Sequence, residues 1–316
     1  MIVAEPLQHA LEALAAFATA EEPLAPYTTY KVGGAAAVFA SPRNDEELRR
    51  IAEVVVATDL PTLVVGRGSN LLVADAGFPG IAISLASMAE WIEFHGTVVH
   101  AGAAVALPVL ARRCVAAGLA GFEWAVGVPG SVGGAVRMNA GGHGSDMAAS
   151  LIGVHALDLR TARHGWLDVA QLGLHFRGSE LADHQVVLDA RIQLREGDVA
   201  AGEAELSEIV RWRRENQPGG QNAGSVFVNP IPGELPAAVL IDRLGLRGFR
   251  IGGAFVSDKH ANFIQATDGA TAADVRAVME HVRAAVHEHT GFALRSEIRL
   301  VGFDDVPPTV DGGVAL

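Results

Sequence analysis

Two glycine-rich loops carry the clearest chemical signal in this chain. The first, Gly66-Arg67-Gly68-Ser69-Asn70, follows an apolar run ending at Val65 and leads into Leu71. The second reads Gly127-Val128-Pro129-Gly130-Ser131-Val132-Gly133-Gly134 and is followed by Asn139-Ala140-Gly141-Gly142-His143-Gly144. Glycine permits positive φ and removes the Cβ that would hold a ligand away from the backbone. Successive free N–H groups in such turns make an anion-binding concavity suited to a pyrophosphate. The familiar dinucleotide fingerprints do not fit, because Leu71 stands where a third glycine belongs and no Gly-Lys-Ser/Thr occurs. The spacing therefore predicts a phosphate-bearing cofactor held outside a Rossmann or P-loop frame. The competing reading is tight turns in a chain of 36 glycines; the three-residue steps of the second loop fit it less well than the first.

Metal and thiol chemistry find little support in the spacing. His281, His287 and His289 fall in a charged helical pattern with no His-Glu-x-x-His or carboxylate partner, so no metal site is expected. Cys114 is the single cysteine, which leaves no disulfide framework and points to a reducing compartment, the cytoplasm.

The elements that must position these loops alternate along the chain. The pattern predicts a helix over 45–58, strands over 62–65 and 71–74, and then a second lobe with strands over 97–101, 151–158 and 186–194 around a helix over 107–117. A polar turn over 195–204 precedes a charged helix over 205–216 and is the expected domain boundary. Beyond it come a helix over 237–244, a strand over 262–265 and a long helix over 272–289. The Ala-rich stretch 11–20 reads as an amphipathic surface helix. It is not read as a signal peptide, since Glu5 and Glu12 stand where basic residues belong.

Composition narrows the function. Half of the 316 residues are hydrophobic, enough for two domains with their own cores. A formal net charge of −12 without a dense basic run excludes a nucleic-acid footprint. No stretch reaches the roughly 18 consecutive apolar residues of a membrane span.

Seven segments, in order, carry a resemblance. They are Thr28-Thr29-Tyr30-Lys31-Val32-Gly33-Gly34, 65–73, 121–144, Phe176-Arg177-Gly178-Ser179, Gly224-Ser225-Val226-Phe227-Val228-Asn229-Pro230, 252–263 and Leu294-Arg295-Ser296-Glu297-Ile298. Together they resemble the UDP-N-acetylenolpyruvoylglucosamine reductase family. The resemblance implies an α+β protein with an FAD-binding fold of the vanillyl-alcohol-oxidase type. Residues 1–198 would form two α+β subdomains, split near 86, and 199–316 a substrate domain whose tail from about 294 returns to the flavin. Val65, Gly66, Arg67, Gly68, Ser69, Asn70 and Leu71, with Gly127, Val128, Pro129, Gly130, Ser131, Gly133 and Gly134, would hold FAD, with Asn139, Ala140, Gly141 and Gly144 nearby and Tyr30 against the flavin. The implied reaction is NADPH-dependent reduction of a UDP-linked enolpyruvyl sugar to UDP-N-acetylmuramate, a peptidoglycan precursor, by a monomer.

Reducing an enolpyruvyl ether adds hydride to its methylene carbon and a proton to the carbon bearing the carboxylate, where negative charge builds in between. Arg177 suits the carboxylate, since guanidinium grips it bidentately and stays charged. By residue type alone it reads as a surface arginine. The resemblance makes Glu297 the acid that polarises the same carboxylate, a role that needs a raised pKa; alone, it reads as an outward strand position. Ser225 becomes the proton donor, where a Gly-Ser turn is the plain reading. Arg214, Gln217 and Asn229 join Arg177 and Ser225 as substrate-binding residues. Arg211 and Arg213 lie on the same approach, although a solvated helix face explains these arginines as well.

Two positions depart from the family: Phe176 replaces a tyrosine and Val228 a lysine. No insertion interrupts 252 to the last helix, which matches the shorter type. An oxidase or dehydrogenase of the same fold acting on another alcohol or sugar, and a catalytically silent nucleotide-sugar binder, are the alternatives.

Overall fold

The computed structural model describes residues 5–231 and 233–303. In the first lobe, strands Ala18–Pro23, Ala35–Ala40, Phe78–Ile83 and Thr62–Val64 lie in that order in one sheet, the first pair antiparallel and the others parallel. The Asp45–Thr58 helix covers it, burying Leu48, Ile51, Ala52 and Val55 at the i, i+3, i+4, i+7 spacing that the sequence pattern predicts. Its start is fixed by Asn44, whose side chain accepts from Glu47 N at 3.0 Å.

The N-terminal stretch departs from expectation. The helix spans Glu5–Ala13, and Ala18–Pro23 is a strand paired with Ala35–Ala40. Cross-strand pairing there overrides the helical preference of alanine, a weak local term.

The second lobe is a five-stranded antiparallel sheet in the order Arg163–Asp168, Leu151–Asp158, Gln185–Gln193, Val98–Gly102, Ile92–His95. Ala190 and Ile192 of its middle strand face the core while Asp189, Arg191 and Gln193 alternate outward. The Leu107–Ala116 helix adds Leu107, Leu110, Ala111, Cys114 and Val115 to the same core.

The Val199–Asn216 helix begins six residues earlier than the charge pattern indicates, capped by Asp198, which accepts from Ala201 N at 2.8 Å. Gly202 disguises this start. A Cβ there would meet Val115 at 2.7 Å, so glycine permits close approach of the two helices. Leu206 and Ile209 join the core of the preceding lobes, so this helix packs on those lobes.

A three-stranded antiparallel sheet, Arg250–Ile251, Ala254–Val256 and Ile264–Ala266, forms the C-terminal unit with the Ala237–Arg243 and Ala272–Thr290 helices. Asp75 of the first lobe caps the long helix, its two carboxylate oxygens accepting from Ala272 N at 2.8 Å and Ala273 N at 2.9 Å. The tail then returns, and Arg299–Val301 runs parallel to Leu71–Val73. Among the described residues no helix is long and apolar enough to cross a membrane.

Candidate active site

The two glycine loops lie side by side. A Cβ on Gly66 would fall 2.4 Å from Ser131 Oγ, and Gly68 (φ +57°) passes so close to the backbone of Tyr27 that a Cβ would fall 2.1 Å from its carbonyl oxygen. Among the described residues, the N–H groups of Gly66, Arg67, Gly68, Ser69 and Asn70 have no hydrogen-bond partner within the chain. Val65, Gly66 and Arg67 from one loop and Ser131, Gly133 and Gly134 from the other line a single cleft, with about 940 Å³ of open space partly shared with bulk solvent. The unpartnered N–H groups of Gly66 and Arg67 on the wall of this cleft suit a diphosphate, so these residues fit FAD.

Three charged residues in this cleft escaped the sequence reading. Arg137 donates to Asp183 Oδ1 at 2.7 Å and to Ala182 O at 2.6 Å, and Arg299 pairs with the other oxygen of Asp183. Burial, helped by Arg299, lowers Arg137 to about 10, so it remains a cation at neutral pH. No spacing signal joins them, because each comes from a different element.

Arg177 sits in a two-residue turn closed by reciprocal backbone hydrogen bonds between His175 and Gly178 at 3.0 and 3.1 Å. Its φ of +60° is the left-handed conformation that favours glycine. The side chain reaches Glu297, Nε to Oε1 at 2.6 Å, and Nη1 donates to Gly141 O at 3.2 Å. Burial pushes the Glu297 carboxyl up from the usual range, against the opposing pull of Arg177 and Arg295. Phe176 is exposed, and its ring stands 5.2 Å from the Arg177 guanidinium.

Ser225 lies beside this pair through the backbone. Glu297 N donates to Val226 O at 2.8 Å, Val228 N to Arg295 O at 2.9 Å, and Phe227 bridges to Ser296. Buried Asn262 holds the strip from behind, accepting from Phe227 N and donating to Phe227 O. Gly224 (φ +76°) turns the chain into it. Among the described residues the Ser225 hydroxyl has no hydrogen-bond partner.

Several expected contacts fall elsewhere. Tyr30 is wholly buried in the C-terminal core, its hydroxyl directed at Ala223 without completing a bond of normal geometry. That leaves no surface to lie against a flavin. Asn139 spends both amide N–H groups, on His175 O at 3.2 Å and Asp146 at 3.3 Å, and accepts from Ala148 N at 3.0 Å. It holds the Arg177 turn. Gly141 and Gly144 belong to a hairpin, Gly141–Gly142 against Ser145–Asp146, whose loop residues His143 and Gly144 both have positive φ. Gly127 lies under the His143 ring and Ile209. The Asn70 side chain donates to Glu297 O at 3.1 Å and its carbonyl accepts from Arg299 N at 2.9 Å, so it ties the first glycine loop to the acid.

The other substrate-side residues have partners of their own or face solvent. Asn229 caps the Ala237–Arg243 helix, accepting from Ala237 N at 3.0 Å. Gln217 accepts from Arg213 Nε at 2.9 Å, and Arg214 is exposed. Val228 is buried, so the lysine common at this position would point into protein here.

Comparison with known proteins finds relatives over most of the chain. Residues 36–163 match the family model described as FAD binding domain, and 216–301 that described as UDP-N-acetylenolpyruvoylglucosamine reductase, C-terminal domain. The chain is 43% identical over 299 residues to the UDP-N-acetylenolpyruvoylglucosamine reductase of Heliobacterium modesticaldum, covering 93% of each chain. It is 38% identical over 286 residues to that of Bacillus subtilis, covering 90% of this chain and 93% of the other. The crystal structure of the Thermus caldophilus enzyme matches with a TM-score of 0.79 at 34% identity, covering 90% of this chain and 100% of that one.

Proposed function

The chain belongs to the UDP-N-acetylenolpyruvoylglucosamine reductase family, and from that premise we propose the following division of labour among its residues. The protein is an FAD-dependent oxidoreductase, with the vanillyl-alcohol-oxidase type of flavin-binding fold, that uses NADPH to reduce UDP-N-acetylglucosamine enolpyruvate to UDP-N-acetylmuramate. When bound, FAD supplies the hydride, taken from NADPH and delivered to the methylene carbon.

Arg177 binds the substrate carboxylate through its guanidinium. Glu297, beside it, meets a second anion when that carboxylate arrives, which favours taking up a proton. The neutral acid then donates a hydrogen bond to the same carboxylate and stabilises the charge that develops after hydride addition. Ser225 donates its hydroxyl proton to the carbon bearing the carboxylate and recovers it from water. The Arg177–Glu297 contact at 2.6 Å, tied to the first glycine loop by the Asn70 side chain donating to Glu297 O at 3.1 Å, supports this reading.

We draw the domain boundary near residue 216 and not at 198, supported by the packing of Leu206 and Ile209 on the first lobes. The protein is read as a monomer acting in the cytoplasm. Purified protein should be yellow and should oxidise NADPH on addition of the enolpyruvyl sugar. Protein that stays colourless after flavin reconstitution overturns the proposal, and peroxide formation without NADPH favours an oxidase.

A further inference from the structure

The outer face of the five-stranded sheet carries a cluster that the reductase chemistry leaves unused. We propose that His100, Asp189 and His155 bind a divalent transition-metal ion of the zinc class. The three residues stand on adjacent strands, where His155 pairs directly with Asp189 and His100 pairs with Arg191, two positions further along. His100 Nε2 lies 2.6 Å from Asp189 Oδ1, and His155 Nδ1 lies 3.1 and 3.2 Å from the two carboxylate oxygens. One ligand atom from each residue falls within 4.8 Å of the others.

Those separations suit a shared ion. With metal–ligand bonds of about 2.0–2.2 Å, a tetrahedral edge is about 3.3–3.6 Å, so the His155 pair at 3.1 and 3.2 Å nearly fits and the His100 pair at 2.6 Å must open by about 0.7–1.0 Å. Two imidazoles and one carboxylate favour zinc, cobalt, nickel or copper over magnesium and calcium. The rings are held by aromatic edges, Trp91 against His100 and Trp166 against His155. Glu93 stands 4.0 Å from His100 Nδ1, beyond hydrogen-bond distance, and Nε2, which faces Asp189 Oδ1 at 2.6 Å, is the nitrogen that meets the metal. Asp189 is mostly covered, at 13% exposure, while His155 is 43% exposed, which leaves the fourth coordination position to water.

The three ligands come from separate strands, which is why no sequence spacing announces them. None lines the glycine-loop cleft, so the site is independent of the reductase reading.

Tag-free protein stripped with a chelator is titrated with Zn²⁺ by equilibrium dialysis, and with Co²⁺ by visible absorption. One saturable ion per chain is expected, with ligand-field bands for cobalt. Zinc at a hundred times its Kd should raise the folded-to-unfolded ratio about 100-fold, read as a higher Tm. His100→Ala/His155→Ala should lose the binding at least tenfold while keeping its flavin and its NADPH oxidation. Should that double variant fail to fold, Asp189→Asn and His155→Gln must each weaken binding by the same factor. Equal metal uptake by wild type and a flavin-retaining variant overturns the proposal and leaves hydrogen-bonded side chains only.

Discussion

Arg177 and Glu297 meet at 2.6 Å on backbones that reach the site from different parts of the fold, one a tight turn and the other a tail strip paired with 226–228. The arginine holds a φ of +60° to do so. A left-handed conformation destabilises a non-glycine residue by about 1–2 kcal/mol. Arg177→Gly should therefore be more stable than Arg177→Ala by about 1 kcal/mol, while both lose about 10²–10³ in kcat. Thermal melts and steady-state rates of the pair check this; equal stabilities would show that the turn is unstrained.

Glu297 titrates in a direction that can be followed. Its folded pKa lies above the ordinary value because of burial. Stability from its neutral form is fully present below the unfolded pKa and is lost as pH rises through the folded one. Wild type should thus lose stability relative to Glu297→Gln as pH rises across that window. Substrate affinity should also weaken with rising pH, and this slope should flatten in the Gln variant, measured by titrating the flavin spectrum with substrate.

Ser225→Ala separates the two half-reactions. Reduction of the enzyme by NADPH should proceed at the wild-type rate, whereas reoxidation by the enolpyruvyl sugar should slow by about 10²–10⁴. Rapid-mixing absorbance reads both phases, and an unaffected second phase would remove the serine from the mechanism.

Asn139 acts at one remove. Replacing it with Ala leaves the Ala148 N–H and the His175 carbonyl without their side-chain partner. A drop of about 1–3 kcal/mol in stability is expected. Since the His175 turn carries Arg177, KM for the substrate should rise in this variant while flavin content holds.

The contact between the glycine loops can be tested by a paired substitution. Gly66→Ala would bring a methyl to 2.4 Å from Ser131 Oγ, but 3.5 Å from its Cβ. The overpacking, about 1–3 kcal/mol, should lower FAD affinity about tenfold or more, and Ser131→Ala in the same chain should restore it. Flavin retained after dialysis is the readout.

What the sequence determined by itself follows from local physics. The Asp45–Thr58 helix was legible because its apolar spacing and its Asn44 cap are both written within a few neighbours. The glycine loops were legible as places of close approach because backbone freedom belongs to glycine itself. Arg177, Ser225 and Glu297 came only from motifs in order, since no local rule distinguishes them from surface residues. Tertiary structure decided the rest. It turned Ala18–Pro23 into a strand through pairing with Ala35–Ala40, and buried Tyr30 in a core formed by residues far along the chain. It closed Asn139 and Asn229 into hydrogen bonds that no spacing encodes. It gathered Arg137, Asp183 and Arg299 at one cleft and His100, His155 and Asp189 on one sheet face. Burial and long-range contact arise only when the elements pack, so a residue's type shows what it can do and the fold decides which partner it meets.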